Sequence, residues 1–152
     1  MLILKIDNCY LKRSKLYIIA ILKVNFNIVI EIFKNMFVAP KNTDLLLSEA
    51  EGDNLYLKLV EQLNKDFNLA NEAIDFPLST SPAELKLQLH EKIYRLIQYK
   101  FAEYLNLLYI IDVSEDEIKK LDGSDLVILA EQVAFLILKR EWQKVWFKNK
   151  YK

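Results

Sequence analysis

The last fourteen residues, KREWQKVWFKNKYK, interleave basic and aromatic side chains. Arg140, Lys144, Lys148 and Lys150 carry charge that could neutralise phosphates. Trp142 and Trp146 offer flat faces for stacking on bases or for resting in the headgroup region of a bilayer. These six form the candidate binding surface, for a nucleic acid or an anionic membrane. A plainer reading competes with it. Lysines near a helix C-terminus offset its dipole, and tryptophans four residues apart pack on a core.

His90 is the only imidazole in the chain. It could act as a base or a pH-sensitive contact. The expectation is instead a half-buried histidine, hydrogen-bonded to a backbone carbonyl or a tyrosine. Asp112, Glu115, Asp116, Glu117, Asp122 and Asp125 make an acidic cluster. A calcium loop of the EF-hand type needs oxygen ligands in alternation around a central glycine, and this order does not supply it. The acids fall where two helices would begin, so capping is expected. Tyr94, Tyr99, Tyr104 and Tyr109 recur every five residues, which suggests a stacking ladder. Five residues turn a helix by about 500°, so successive rings stand about 140° apart and no ladder forms.

Other chemistry is excluded more firmly. Gly52 and Gly123 are isolated, so there is no glycine-rich phosphate loop. One histidine and one cysteine, Cys9, rule out a two-histidine zinc site and an intrachain disulfide. No G-x-S-x-G or Cys/His pairing is present. No cofactor and no metal is expected, and no catalytic residue.

The elements that position these residues read as helices. The chain has 152 residues, is 53% hydrophobic, and holds two glycines and three prolines. All-β proteins need many tight turns, which this composition cannot provide. The centre of the fold is expected in 125–147, DLVILAEQVAFLILKREWQKVWF. Leu126 to Leu138 is apolar nearly all round and is interrupted by Glu131 and Gln132, so it should be a buried helix. It is too short to span a bilayer, which takes roughly 20 apolar residues. Ser124 or Asp125 should cap it. A helix-turn-helix reading across 113–147 fails, because its second helix would show Leu126 to Leu129 to the DNA groove instead of polar groups.

Upstream, Ser81-Pro82-Ala83-Glu84 is a capping box that opens one long helix over 81–112. Its inward stripe is Leu85, Leu89, Ile93, Leu96, Ile97, Phe101, Tyr104, Leu108 and Ile111. At 1.5 Å per residue it would be roughly 45 Å long, so it must bend or project. An earlier helix is expected over 53–67, capped by Asp53, with Tyr56, Leu59, Val60, Leu63 and Phe67 inward. Between them 68–80 should lie extended on the core, pinned by Ile74, Phe76 and Leu78. A short helix follows Ser114, in a second capping box with Glu117, and Gly123 is placed to close it with a positive φ.

Residues 1–35 differ in character. They hold six basic and two acidic groups, net +4, against net −9 for 36–138 and net +5 for 139–152. Three readings stand: a mis-assigned start with translation from Met36, a signal or anchor around Leu16 to Leu22, and an added helix or hairpin with a strand at Ile28 to Ile32. Residues 36–52 read as a linker and 53–152 as the helical domain.

The sequence therefore predicts an all-α protein, a small irregular bundle of three long helices and one short one. The function expected is non-enzymatic: binding to a protein partner or to itself as a homo-oligomer. The alternative is peripheral binding of nucleic acid or membrane through the basic aromatic tail. Zero net charge provides no strong field for either polyanion. The single cysteine suits a cytoplasmic setting.

Overall fold

The computed structural model describes residues 36–151 together with Ile28 and Val29. The chain divides into two units, Met1–Val38 and Ala39–Lys152. Apart from Ile28 and Val29, which are helical where a strand was one expectation, the readings of 1–35 lie outside the described residues.

Ala39–Lys152 is all-α among its described residues. Six helices follow in order: α1 (Thr43–Gly52), α2 (Tyr56–Leu69), α3 (Pro82–Tyr99), α4 (Phe101–Ile111), α5 (Glu115–Ile118) and α6 (Leu126–Lys150). α6 is the centre, as expected. α1, α2, α3 and α4 all pack on it, α3 most extensively. Asp125 caps it, its carboxylate accepting from the Val127 and Ile128 N–H groups at 2.8 and 3.1 Å. Ala130, Val133, Ile137 and Trp142 are fully buried. The first turn is only partly covered: Val127 and Ile128 are exposed, while Leu126 and Leu129 are half-buried.

The capping box at Ser81 forms in full. Glu84 N–H donates to the Ser81 hydroxyl, and Ser81 N–H donates to the Glu84 carboxylate at 3.0 Å. These bonds hold the Glu84 carboxyl below its usual range. Leu85, Leu89, Ile93 and Leu96 are buried as the stripe requires.

Four boundaries differ from expectation. Residues 43–52, expected inside a linker, are α1, capped by Asn42, whose side chain accepts from Leu45 N–H at 2.9 Å. Leu46, Leu47 and Ala50 give α1 a buried face. Asp53 therefore ends α1 instead of opening α2, which starts at Tyr56 with no side-chain cap. The long helix breaks at Lys100, whose φ of −140° and ψ of 59° are not helical. Beyond the break Tyr104, Leu108 and Ile111 are buried as the stripe requires, Leu107 is buried with them, and Phe101 is exposed instead of inward. The second capping box is absent. Ser114 makes no side-chain cap, and Glu117 instead pairs with Lys139 on α6.

Gly123 does not take a positive φ. Helix ends are closed elsewhere by asparagine and aspartate. Asn54, Asn71 and Asp112 have φ of 57°, 58° and 65°. After each, the next N–H reaches five residues back: Leu55 to Ala50, Glu72 to Phe67 and Val113 to Leu108, at 2.8, 2.9 and 3.0 Å. This is the Schellman closure, with Asn or Asp in the place glycine usually takes. It explains how a chain with two glycines ends so many helices.

The connector 70–80 is pinned, as expected. The Asn64 amide donates to Phe76 C=O at 2.8 Å and accepts from Phe76 N–H at 2.9 Å. Phe76 is buried, Ile74 half-buried, and Leu78 is exposed, against expectation.

Candidate interaction surface

The break at Lys100 decides what the surface offers. In α4, FAEYLNLLYII, Glu103 is the one charged residue of eleven. Such a helix is apolar all round and would ordinarily be buried all round. Here Tyr104, Leu107, Leu108 and Ile111 go inward, while Phe101, Leu105 and Tyr109 remain 57%, 51% and 82% exposed. These three are spaced by four, so they form one ridge along the outside of α4. Phe101 meets the Tyr104 ring at 5.5 Å between centroids, which fixes it at the top of the ridge.

The ridge borders a groove of about 680 Å³. Leu105, Leu108 and Tyr109 form one wall, and Val113 and Ile118 of the α5 segment form the other. Asp112, Glu115 and Lys119 line its rim. The walls are held in place by ion pairs. Asp112, at the left-handed turn, pairs with Arg140, and Glu117 pairs with Lys139, so α6 anchors the segment from below. Lys119 pairs with Glu115 one turn back, at 3.2 Å. Three of the six acids expected to cap helices, Asp112, Glu115 and Glu117, thus bind cations instead, while Asp125 does cap α6. Asp122 accepts from Ser124 N–H and Oγ, both at 2.9 Å, which holds its carboxyl below the usual range.

The six tail residues do not come together as one displayed surface. Trp142 is in the core at 0% exposure, and its indole N–H donates to Glu49 at 3.3 Å. Lys144 points inward, to Asp66 at 2.6 Å and Glu141 at 2.8 Å. Arg140 is taken up by Asp112 and Gln143. Lys148 donates to Gln62 on α2. Lys150 lies over the half-buried Trp146 ring, 5.6 Å from its centroid. The spacing of these residues is that of a helix packed along one side, which the plainer reading of the tail anticipates.

Glu141 was not singled out by sequence reasoning. Its side chain is fully buried, and its Oε2 has no partner. Burial pushes its carboxyl up to about 7, against the pull of Lys144 and with the help of Asp66. Within KREWQKVWFKNKYK its neighbours are basic, which made it look like one more surface charge. His90 is half-buried, and its Nε2 donates to the Val127 carbonyl at 3.0 Å, as expected. The ridge was also missed, because a continuous helix over 81–112 puts Phe101 inward. The available signal was the near absence of charge from 101–111.

Among the described residues, no group of three or more His, Cys, Asp and Glu side chains could hold a metal ion, and no helix is long and apolar enough to cross a membrane. No family model matches the chain, and neither a curated protein nor a solved structure does.

Proposed function

We propose that Ala39–Lys152 is a protein-interaction module that works by binding, not by catalysis, and docks its partner on the α4 ridge and the adjoining groove. The observation that carries this reading is the exposure of Phe101, Leu105 and Tyr109 on a helix with one charge. Exposed apolar patches of a few hundred Å² on soluble domains mark interaction sites more often than chance. Aromatic residues are also the usual anchors of such interfaces. The single cysteine suits work in the reducing cytoplasm.

The test is capture with the full chain in its own host, run beside Leu105→Glu and Leu57→Glu. Both positions are about half exposed, so neither change should unfold the domain. Loss of a stoichiometric protein with Leu105→Glu, and its retention with Leu57→Glu, supports the ridge. Equal capture by all three chains sets the reading aside.

A further inference from the structure

We infer that the groove between α2 and α6 binds a small phosphorylated molecule, whose phosphoryl oxygens are received by Lys58, Lys65 and Lys148. The site uses no residue of the α4 ridge and does not depend on it.

The groove is about 320 Å³, at the lower end of the range for small-molecule sites, ~300 to 1,000 Å³. Lys58 and Lys65 are seven residues apart, so they share one face of α2, with Gln62 between them. Lys148 and Asn149 line the α6 side, above the buried Val145.

Charge singles this groove out. Lys86, Lys92, Lys100, Lys119, Lys139 and Lys144 are each ion-paired with a carboxylate. Lys58, Lys65 and Lys148 are not, although Glu61 lines the same groove. With Glu61 counted, three lysines leave the groove at net +2. Two of the ammonium groups are held by neutral acceptors instead. Lys148 donates to Gln62, which is 7% exposed, and Lys58 donates to Asn149 at 3.3 Å. These bonds position the charges without neutralising them, and each ammonium keeps N–H groups to donate. Gln62 gives its oxygen to Lys148, which leaves its NH2 as a further donor. α2 also begins with no side-chain cap and no acid in its first turn, which contains Lys58, so its positive end adds to the field. A phosphoryl group matches this set, because its oxygens accept charge-assisted hydrogen bonds from several donors at once.

The charge of the domain limits the size of the ligand. Ala39–Lys152 carries net −4. A long polyanion laid along the groove would run onto that negative surface. A small anion stays within the Debye length of the lysines, about 8 Å at physiological salt.

The experiment titrates the full chain with inorganic phosphate and with pyrophosphate up to about 10 mM, read by amide chemical shifts. Saturable shifts are expected around Lys58, Gln62, Lys65 and Lys148, with pyrophosphate bound more tightly because it carries more charge. Lys58→Gln with Lys65→Gln should raise the dissociation constant roughly fivefold or more. Lys41→Gln with Lys120→Gln removes two charges elsewhere and should leave it within about twofold. All four positions are exposed, so both double variants should fold. Absence of saturation with either probe would overturn the site. Equal weakening by the two double variants would overturn it as well, since net charge alone would then account for the binding. Retention on heparin through Lys148 without binding of pyrophosphate would assign these lysines to a polymer and overturn the small ligand.

Discussion

Lys144 on α6 reaches Asp66 on α2 at 2.6 Å, joining positions 78 residues apart. The same ammonium serves Glu141 at 2.8 Å. One cation thus balances two carboxylates in a site where all three side chains are largely buried. With both acids ionised the cluster holds an excess negative charge in a poor solvent for it. Burial disfavours the ionised Glu141 carboxyl and the Asp66 charge adds to this, so its carboxyl is raised despite Lys144.

Stability should therefore depend on pH through Glu141. Burial pushes its carboxyl up to about 7, well above the ordinary glutamate value of about 4.3. Between those values the folded chain binds more protons than the unfolded one, so stability falls as pH rises through that window. The full effect is roughly 3 kcal/mol, complete once both states are ionised. Urea denaturation from about pH 5 to pH 8 should show this decline, and Glu141→Gln should flatten it. Parallel slopes in the two chains would remove Glu141 as the cause.

Charge reversal should separate the tail lysines sharply. Lys144→Glu would place three acids in one buried site and is expected to cost about 3–5 kcal/mol, enough to unfold much of the population. Lys148→Glu and Lys150→Glu sit on the exposed end of α6 and should change stability by about 0.5 kcal/mol or less each. That pair is the proper test of polyanion binding by the tail. Salt-sensitive retention on heparin that disappears in the double variant would argue for the tail as a second binding surface.

Glu72 should behave in the opposite sense to Glu141. It is buried, which alone would raise its carboxyl, but hydrogen bonds and charge from Lys92 and Lys100 outweigh this and lower it. Lys92 stands at 2.8 Å and Lys100 at 3.3 Å, so Glu72 ties the connector to α3 and to the break between α3 and α4. A depressed carboxyl stabilises above its unfolded value and loses that contribution as pH falls through the folded one. Glu72→Gln should cost about 1–3 kcal/mol at neutral pH and less once the pH falls below the ordinary carboxylate range. Hydrogen exchange should show the loss concentrated around residues 96–104.

The left-handed helix ends are testable without touching a charge. Asn54→Ala forces a Cβ-bearing residue with no helpful side chain into φ 57° and should cost about 1–2 kcal/mol. Asn54→Gly should be neutral or stabilise by a few tenths of a kcal/mol. Melting temperatures should order as Gly at or above wild type, and Ala below by several degrees. Equal melting of all three would mean that the turn relaxes to another conformation.

What the sequence determined by itself was local. Period-3.6 apolar spacing marked α3, the apolar run Leu126 to Leu138 marked α6, the Ser81 box marked where α3 starts, and Ser124 or Asp125 marked where α6 starts. These signals lie within one or two helical turns, so a linear reading can find them. Scarce glycine and proline indicated helices, and the structure is all-α among its described residues. Tertiary structure alone decided the rest. Lys100 is an unremarkable residue in an unbroken helical pattern, and its non-helical φ and ψ separate α3 from α4, which packs on α2 and α6. Beyond the break Phe101 faces outward together with Leu105 and Tyr109, and the three make the ridge. Likewise, nothing near Glu141 in the chain distinguishes it from a surface acid. Its partner Asp66 arrives from α2, and only the packing of α2 on α6 sets the environment that holds its proton.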